Sequence, residues 1–119
     1  MTVSVDVWLR GDDHATTEKI DGIVRTPREW TDADVRMVLE GMLRAMDRLK
    51  RPGANDREIA LRGLSWIVNP YEDGGVVIAI EITLGAAIAG PFDIDKNRLE
   101  TMIERVLSRP TFPPTPTIH

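Results

Sequence analysis

Val3, Val5, Val7 and Leu9 alternate with Thr2, Ser4, Asp6, Trp8 and Arg10, and an apolar period of two marks a strand with one buried face. Gly11-Asp12-Asp13-His14 breaks the pattern with turn-forming residues. A weaker strand is expected over about Glu18 to Arg25, carrying Ile20, Ile23 and Val24, and a hairpin with the first strand is the economical pairing. The period then changes. Val35, Val38, Leu39, Met42, Met46 and Leu49 recur at intervals of three and four, which gives a helix one apolar face. Thr31 followed by Asp34 has the spacing of a capping box, and Trp30 before the cap with Val35 at the fourth helical position has that of a hydrophobic staple. Pro52-Gly53 stops this helix behind Arg48, Lys50 and Arg51, which suit its negative end.

A third strand is expected over about Glu58 to Val68. Its alternation slips at Gly63, where a β-bulge would absorb one residue. Asn69-Pro70 and Asp73-Gly74-Gly75 turn the chain into a fourth strand from Val76 to about Leu84. There Val76, Ile78, Ile80, Ile82 and Leu84 share one face, and Val77, Ala79, Glu81 and Thr83 share the other. The third and fourth strands should form the central hairpin. Gly85 to Gly90 reads as a tract of small residues leading to a second helix, capped by Asp93 or Asp95. Leu99, Met102, Ile103, Val106 and Leu107 form the apolar stripe of that helix.

The resulting order is ββαββα. It implies an α+β two-layer sandwich: a four-stranded antiparallel sheet with two helices on one face. Residues 1–108 would form the single domain. Residues 109–119, with Pro110, Pro113, Pro114 and Pro116, would form a proline-rich C-terminal arm.

Two helices cover one face of such a sheet, so the other should be polar, yet it is only half so. Trp8, Val77 and Ala79 point there, with either Ile59 and Leu61 or Leu64 and Trp66 according to the bulge. A contiguous apolar patch is seldom left in water. The tail, a second copy of the chain or another partner would cover it. Glu81 lies mid-strand on the same face, beside Trp8 and Thr83. Trp8, Glu81, Thr83, Val77 and Ala79 are therefore the candidate binding residues.

Composition narrows the partners. The 119 residues are 42% hydrophobic and 29% charged, ordinary for one globular domain. The net charge is -4, with basic residues scattered along the chain. A nucleic-acid or anionic membrane surface calls for a basic patch, so neither is expected as a partner. The absence of cysteine removes disulfides, thiolate metal sites and thiol nucleophiles, and fits a reducing cytoplasm. Met1 to Arg10 alternates where a signal peptide would need a continuous apolar run, and the apolar stretch Val76 to Ala89 is broken by Glu81, Thr83 and Gly85.

Candidate chemistry is sparse. Asp12, Asp13 and His14 offer oxygen and nitrogen ligands for a divalent cation, but they lack the spacing of a calcium loop and read better as a solvated turn. His14 and His119 have no serine or positioning carboxylate at a catalytic spacing. Gly85 to Gly90 lacks the spacing and lysine of a phosphate loop, so no cofactor is expected. Glu81 is the one candidate acid or base, with an ion pair to Arg10, Arg25 or Arg62 as its ordinary role. Two functions follow. The first is a small cytoplasmic, non-enzymatic interaction protein, accessory or immunity-like, that self-associates or binds a protein partner through the open sheet face. The second is a small-molecule binder or enzyme with a pocket on that face and Glu81 as acid or base.

Overall fold

The computed structural model describes residues 2–53 and 59–108. The expected arm over 109–119, with His119, and the expected strand start at Glu58 lie outside the described residues. Within them the architecture is α+β: a five-stranded antiparallel sheet with two helices. The elements are β1 (Val3–Leu9), β2 (Thr16–Ile20), a short 3₁₀ turn (Pro27–Glu29), α1 (Asp32–Lys50), β3 (Ser65–Pro70), β4 (Val76–Ile82), β5 (Gly85–Phe92) and α2 (Lys96–Leu107). The sheet order is β2-β1-β5-β4-β3.

The expected four strands are therefore five. The small-residue tract after β4 is itself a strand, and it is the central one. Alanine and glycine have low strand propensity, which is why Gly85-Ala86-Ala87-Ile88-Ala89-Gly90 does not look like a strand in isolation. Small size is what the position requires. Gly85 pairs with Leu9, and a Cβ there would stand 2.1 Å from the Trp8 carbonyl oxygen. Ala87 and Ala89 are fully buried under the helices. At the far end the β4–β5 register shifts between Val76 and Ile78, opposite Gly90, whose φ of 123° suits only glycine. The bulge expected at Gly63 is not formed: Gly63 precedes β3, whose register with β4 is regular, and the register shift of this sheet lies between β4 and β5.

Insertion of β5 moves the β3–β4 hairpin from the centre to the side, with β3 as an edge strand. β2 is shorter than expected and starts earlier, because Gly22, at φ 93°, ends it before Ile23. Residues 59–64 precede β3, and Thr83-Leu84 form the turn from β4 to β5, so Thr83 is not a strand residue.

The helices match their sequence signals closely. The Asp34 carboxylate accepts from the Thr31 backbone N–H at 2.9 Å and from Thr31 Oγ1 at 3.1 Å, completing a capping box. It also pairs with Arg25 at 3.3 Å. Asp95 caps α2 by accepting from the Arg98 N–H at 3.0 Å. Trp30 is buried, with its ring edge-on to Phe92 at 4.8 Å and its indole N–H donating to the Arg25 carbonyl at 3.0 Å. Arg98 of α2 donates to the carbonyls of Arg28 and Trp30. Arg105 grips Asp32 with two bonds of 2.9 Å, which hold its guanidinium above its usual pKa. α1 lies over β1, β2 and β5, while α2 packs on α1 and β3. Both helices bury their stripes against one sheet face, in a core that holds Val3, Val5, Val7, Ile78, Ile80, Leu39, Met42, Met46, Leu99 and Ile103.

The Gly85→Ala variant is expected to lose about 3 kcal/mol of stability, because the added methyl must push β5 away from β1 backbone. Urea denaturation followed by far-UV circular dichroism measures the loss, and an unchanged midpoint would contradict the close approach.

Candidate functional site

Strand alternation divides the sheet into a face under the helices and an open face. β1 gives Ser4, Asp6 and Trp8 to the open face, because Val3, Val5 and Val7 are buried on the other. β4 gives Val77, Ala79 and Glu81, and β5 gives Ala86, Ile88 and Gly90 by the same parity. β3 gives Ser65, Ile67 and Asn69. Neither Ile59 with Leu61 nor Leu64 with Trp66 lies there. Trp66 pairs with Ile80 and packs with Leu64 against the core. Ile67 takes their place, and Ile88 joins it from the strand that the sequence pattern did not reveal.

The pairing registers arrange these side chains in two rows across the sheet. One row runs Thr17, Asp6, Ile88, Ala79, Ile67, and the other runs Trp8, Ala86, Glu81, Ser65. Ala79 and Ala86 are small and sit between Ile67, Ile88 and the flanking polar residues. The result is an apolar depression of about 340 Å³, floored by the alanines and bordered by Ile67, Ile88, Glu81 and Ser65. Ile67 is 51% exposed and Ile88 37% exposed, large values for isoleucines in mid-strand. Polar groups frame the patch on the β1 side, where Thr17 donates to Asp6 at 2.8 Å.

The expected site residues are only partly brought together. Ala79 and Glu81 line the depression. Val77 shares their face at the bulged end of β4. Trp8 is half-buried in the Glu81 row, two strand spacings away, about 10 Å. Thr83 lies in the β4–β5 turn, where its carbonyl accepts from Arg10 Nε at 2.9 Å. The grouping of Glu81 beside Trp8 and Thr83 is therefore not formed. Glu81 is exposed and has no hydrogen-bond or ion-pair partner among the described residues. Of its expected partners, Arg10 serves Thr83 and Arg25 serves Asp34. Arg62 lies by a second, more polar depression of about 400 Å³, which Asp47, Ile59 and Leu84 also line.

Asp12, Asp13 and His14 form a solvated turn. His14 Nδ1 lies 2.9 Å from Asp13 Oδ1, and both side chains are largely exposed. No cluster of three or more potential metal ligands occurs among the described residues. Nor is any helix among them long and apolar enough to cross a membrane. Met42, Met46 and Met102 are core, and Met37 is exposed.

No family model, curated protein or solved structure matches the chain. What it could do must therefore be read from the surface itself.

Replacing Ile67 or Ile88 by serine is expected to cost no more than about 1.5 kcal/mol, since each is only partly buried. Ile78→Ala, under the helices, should cost about 3–4 kcal/mol. Urea midpoints of the three variants test the division between the faces, and comparable losses would refute it.

Proposed function

We propose that this chain is a small non-enzymatic interaction module of the cytoplasm, accessory or immunity-like in type, which associates with a protein partner or with itself through the open sheet face. One observation carries this reading: Ile67, Ile88, Ala79 and Ala86 make a contiguous apolar depression in solvent. Burying such a surface releases about 25 cal/mol for each Å² of apolar area removed from water. The polar frame of Asp6, Thr17, Ser65 and Glu81 resembles the rim of a protein interface around its apolar centre. The fold supports it too, because both helices are committed to the other face.

A second reading makes the depression a small-molecule site with Glu81 as acid or base. Its volume falls near the lower end of the ligand-pocket range, about 300–1,000 Å³. An exposed carboxylate with no hydrogen-bond or ion-pair partner among the described residues fits a polar rim better than a positioned catalytic group.

Ala79→Arg tests the first reading by filling the depression with a charged side chain while leaving the helix-facing core untouched. Association, measured by sedimentation velocity for the chain alone or by titration with a partner, should weaken at least about tenfold, or 1.4 kcal/mol, with an unchanged thermal midpoint. Association unaffected by Ala79→Arg would overturn the open face as the contact surface. A turnover lost in Glu81→Gln alone would favour the second reading.

A further inference from the structure

The sequence contains two Asp-Gly dipeptides, Asp21-Gly22 and Asp73-Gly74. Such a pair is open to one reaction that needs no enzyme. The backbone nitrogen of the glycine attacks Cγ of the aspartic acid, a Cγ–N bond forms, and a carboxyl oxygen leaves as water with the amide hydrogen. The product is a five-membered succinimide. Water then adds across either C–N bond of the ring. Opening at Cγ restores aspartate; opening at the main-chain carbonyl gives isoaspartate, in which the chain runs through the side chain. Glycine favours the first step because it has no Cβ to crowd the attack and little resistance to backbone rotation. In a folded chain the step also requires that this nitrogen be free and its peptide able to turn.

The two pairs sit in different surroundings. The Gly74 N–H donates to the Tyr71 carbonyl at 3.0 Å, and the Tyr71 N–H donates to the Gly75 carbonyl at 3.0 Å. The β3–β4 turn is thus closed twice, and the paired strands on either side hold it. Attack by Gly74 must first break its own hydrogen bond and rotate a peptide inside this turn, and both changes are costly. Asp21-Gly22 has neither restraint. β2 has ended at Ile20, both residues are exposed, and the Gly22 N–H has no acceptor among the described residues. The Asp21 carboxyl group receives one long bond, from Thr2 Oγ1 at 3.4 Å. That hydroxyl donates to an oxygen and leaves Cγ open.

We infer that Asp21-Gly22 is a site of succinimide and isoaspartate formation in the folded protein, and that Asp73-Gly74, the same dipeptide, is guarded by its turn. The position of Asp21 gives the modification a structural consequence. An isoaspartyl link adds one methylene to the main chain, about 1.5 Å of bond length, and leaves the free carboxylate on Cα. Ile20 before it and Ile23 after it are 8% and 1% exposed, so the added length falls between two anchored side chains. Two residues beyond Ile23, Arg25 pairs with Asp34 at the cap of α1, and its carbonyl accepts from the Trp30 indole N–H. Modification at Asp21 therefore loosens the segment that fixes the entry to α1.

Ageing the folded chain at physiological temperature and pH, followed by peptide mapping, separates the two sites. An isoaspartyl peptide elutes apart from its aspartyl isomer at equal mass, and a succinimide is lighter by one water. Synthetic peptides spanning each Asp-Gly pair supply the unrestrained rates. Relative to its own peptide, Asp73 should convert at least about tenfold more slowly in the folded chain, while Asp21 should stay within about threefold. Asp21→Glu, whose longer side chain would need a six-membered ring, should remove the site with circular dichroism unchanged. The isoaspartyl form, isolated by chromatography, should melt about 3 °C or more below the fresh protein, and Asp21→Glu aged alike should not. Equal protection of the two sites in the folded chain, or faster conversion at Asp73, would overturn the assignment. An isoaspartyl form with an unchanged melting point would overturn its coupling to α1.

Discussion

The contact between Gly85 and the β1 backbone decides the shape of the rest. β1–β2 and β3–β4 are separate hairpins, and only β5 joins them, pairing with β1 on one side and β4 on the other. It reaches both because its inward positions are Gly85, Ala87 and Ala89. Larger side chains there would lift α1 off the sheet, since α1 lies directly over β1 and β5. The same strand carries Ala86 on the open side, and that small residue is half the floor of the depression. Core packing and the candidate binding surface therefore share one cause.

A second constraint fixes the helix layer. Trp30, Asp34, Arg98 and Phe92 meet where the chain enters α1, and each closes a different requirement. Asp34 supplies the acceptor that the first turn of α1 needs. Trp30 fills the space beside Phe92 and satisfies its indole N–H on Arg25. Arg98 ties α2 to the carbonyls of the preceding 3₁₀ turn. Arg105 and Asp32 add a surface clasp about two turns further along α2, where solvent screening keeps the contribution modest.

The parts legible in the sequence were those with local causes. Strand alternation in β1, the capping box at Thr31 and Asp34, and the stripes of both helices all report their own surroundings. β5 was not legible, because its composition answers to neighbours far along the chain: Gly85 to Trp8, and Ala87 and Ala89 to α1. The position of β3 followed from that omission, since a hairpin placed at the centre of four strands becomes an edge once a fifth is inserted. The open face was anticipated through Trp8, Val77 and Ala79. Its most exposed member, Ile67, depended on the phase of β3, which Pro70 and the Tyr71–Gly75 turn set. Glu81 fell on the expected face, but the strand order that was to bring Trp8 beside it needed β5.

The strand that unites the sheet is the last to be synthesised. Pairing Val5 with Ala89 joins the two ends of the described chain, and contacts so distant in sequence form slowly. Until β5 leaves the ribosome, the facing edges of β1 and β4 have nothing to pair with, and the two hairpins stay unjoined. The nascent chain must therefore carry hairpins with an open apolar edge until β5 emerges, a condition in which chaperone contact guards against misassembly. Permuting the chain so that β5 precedes β1 would bring that pairing early and make the first sheet contact a local hairpin.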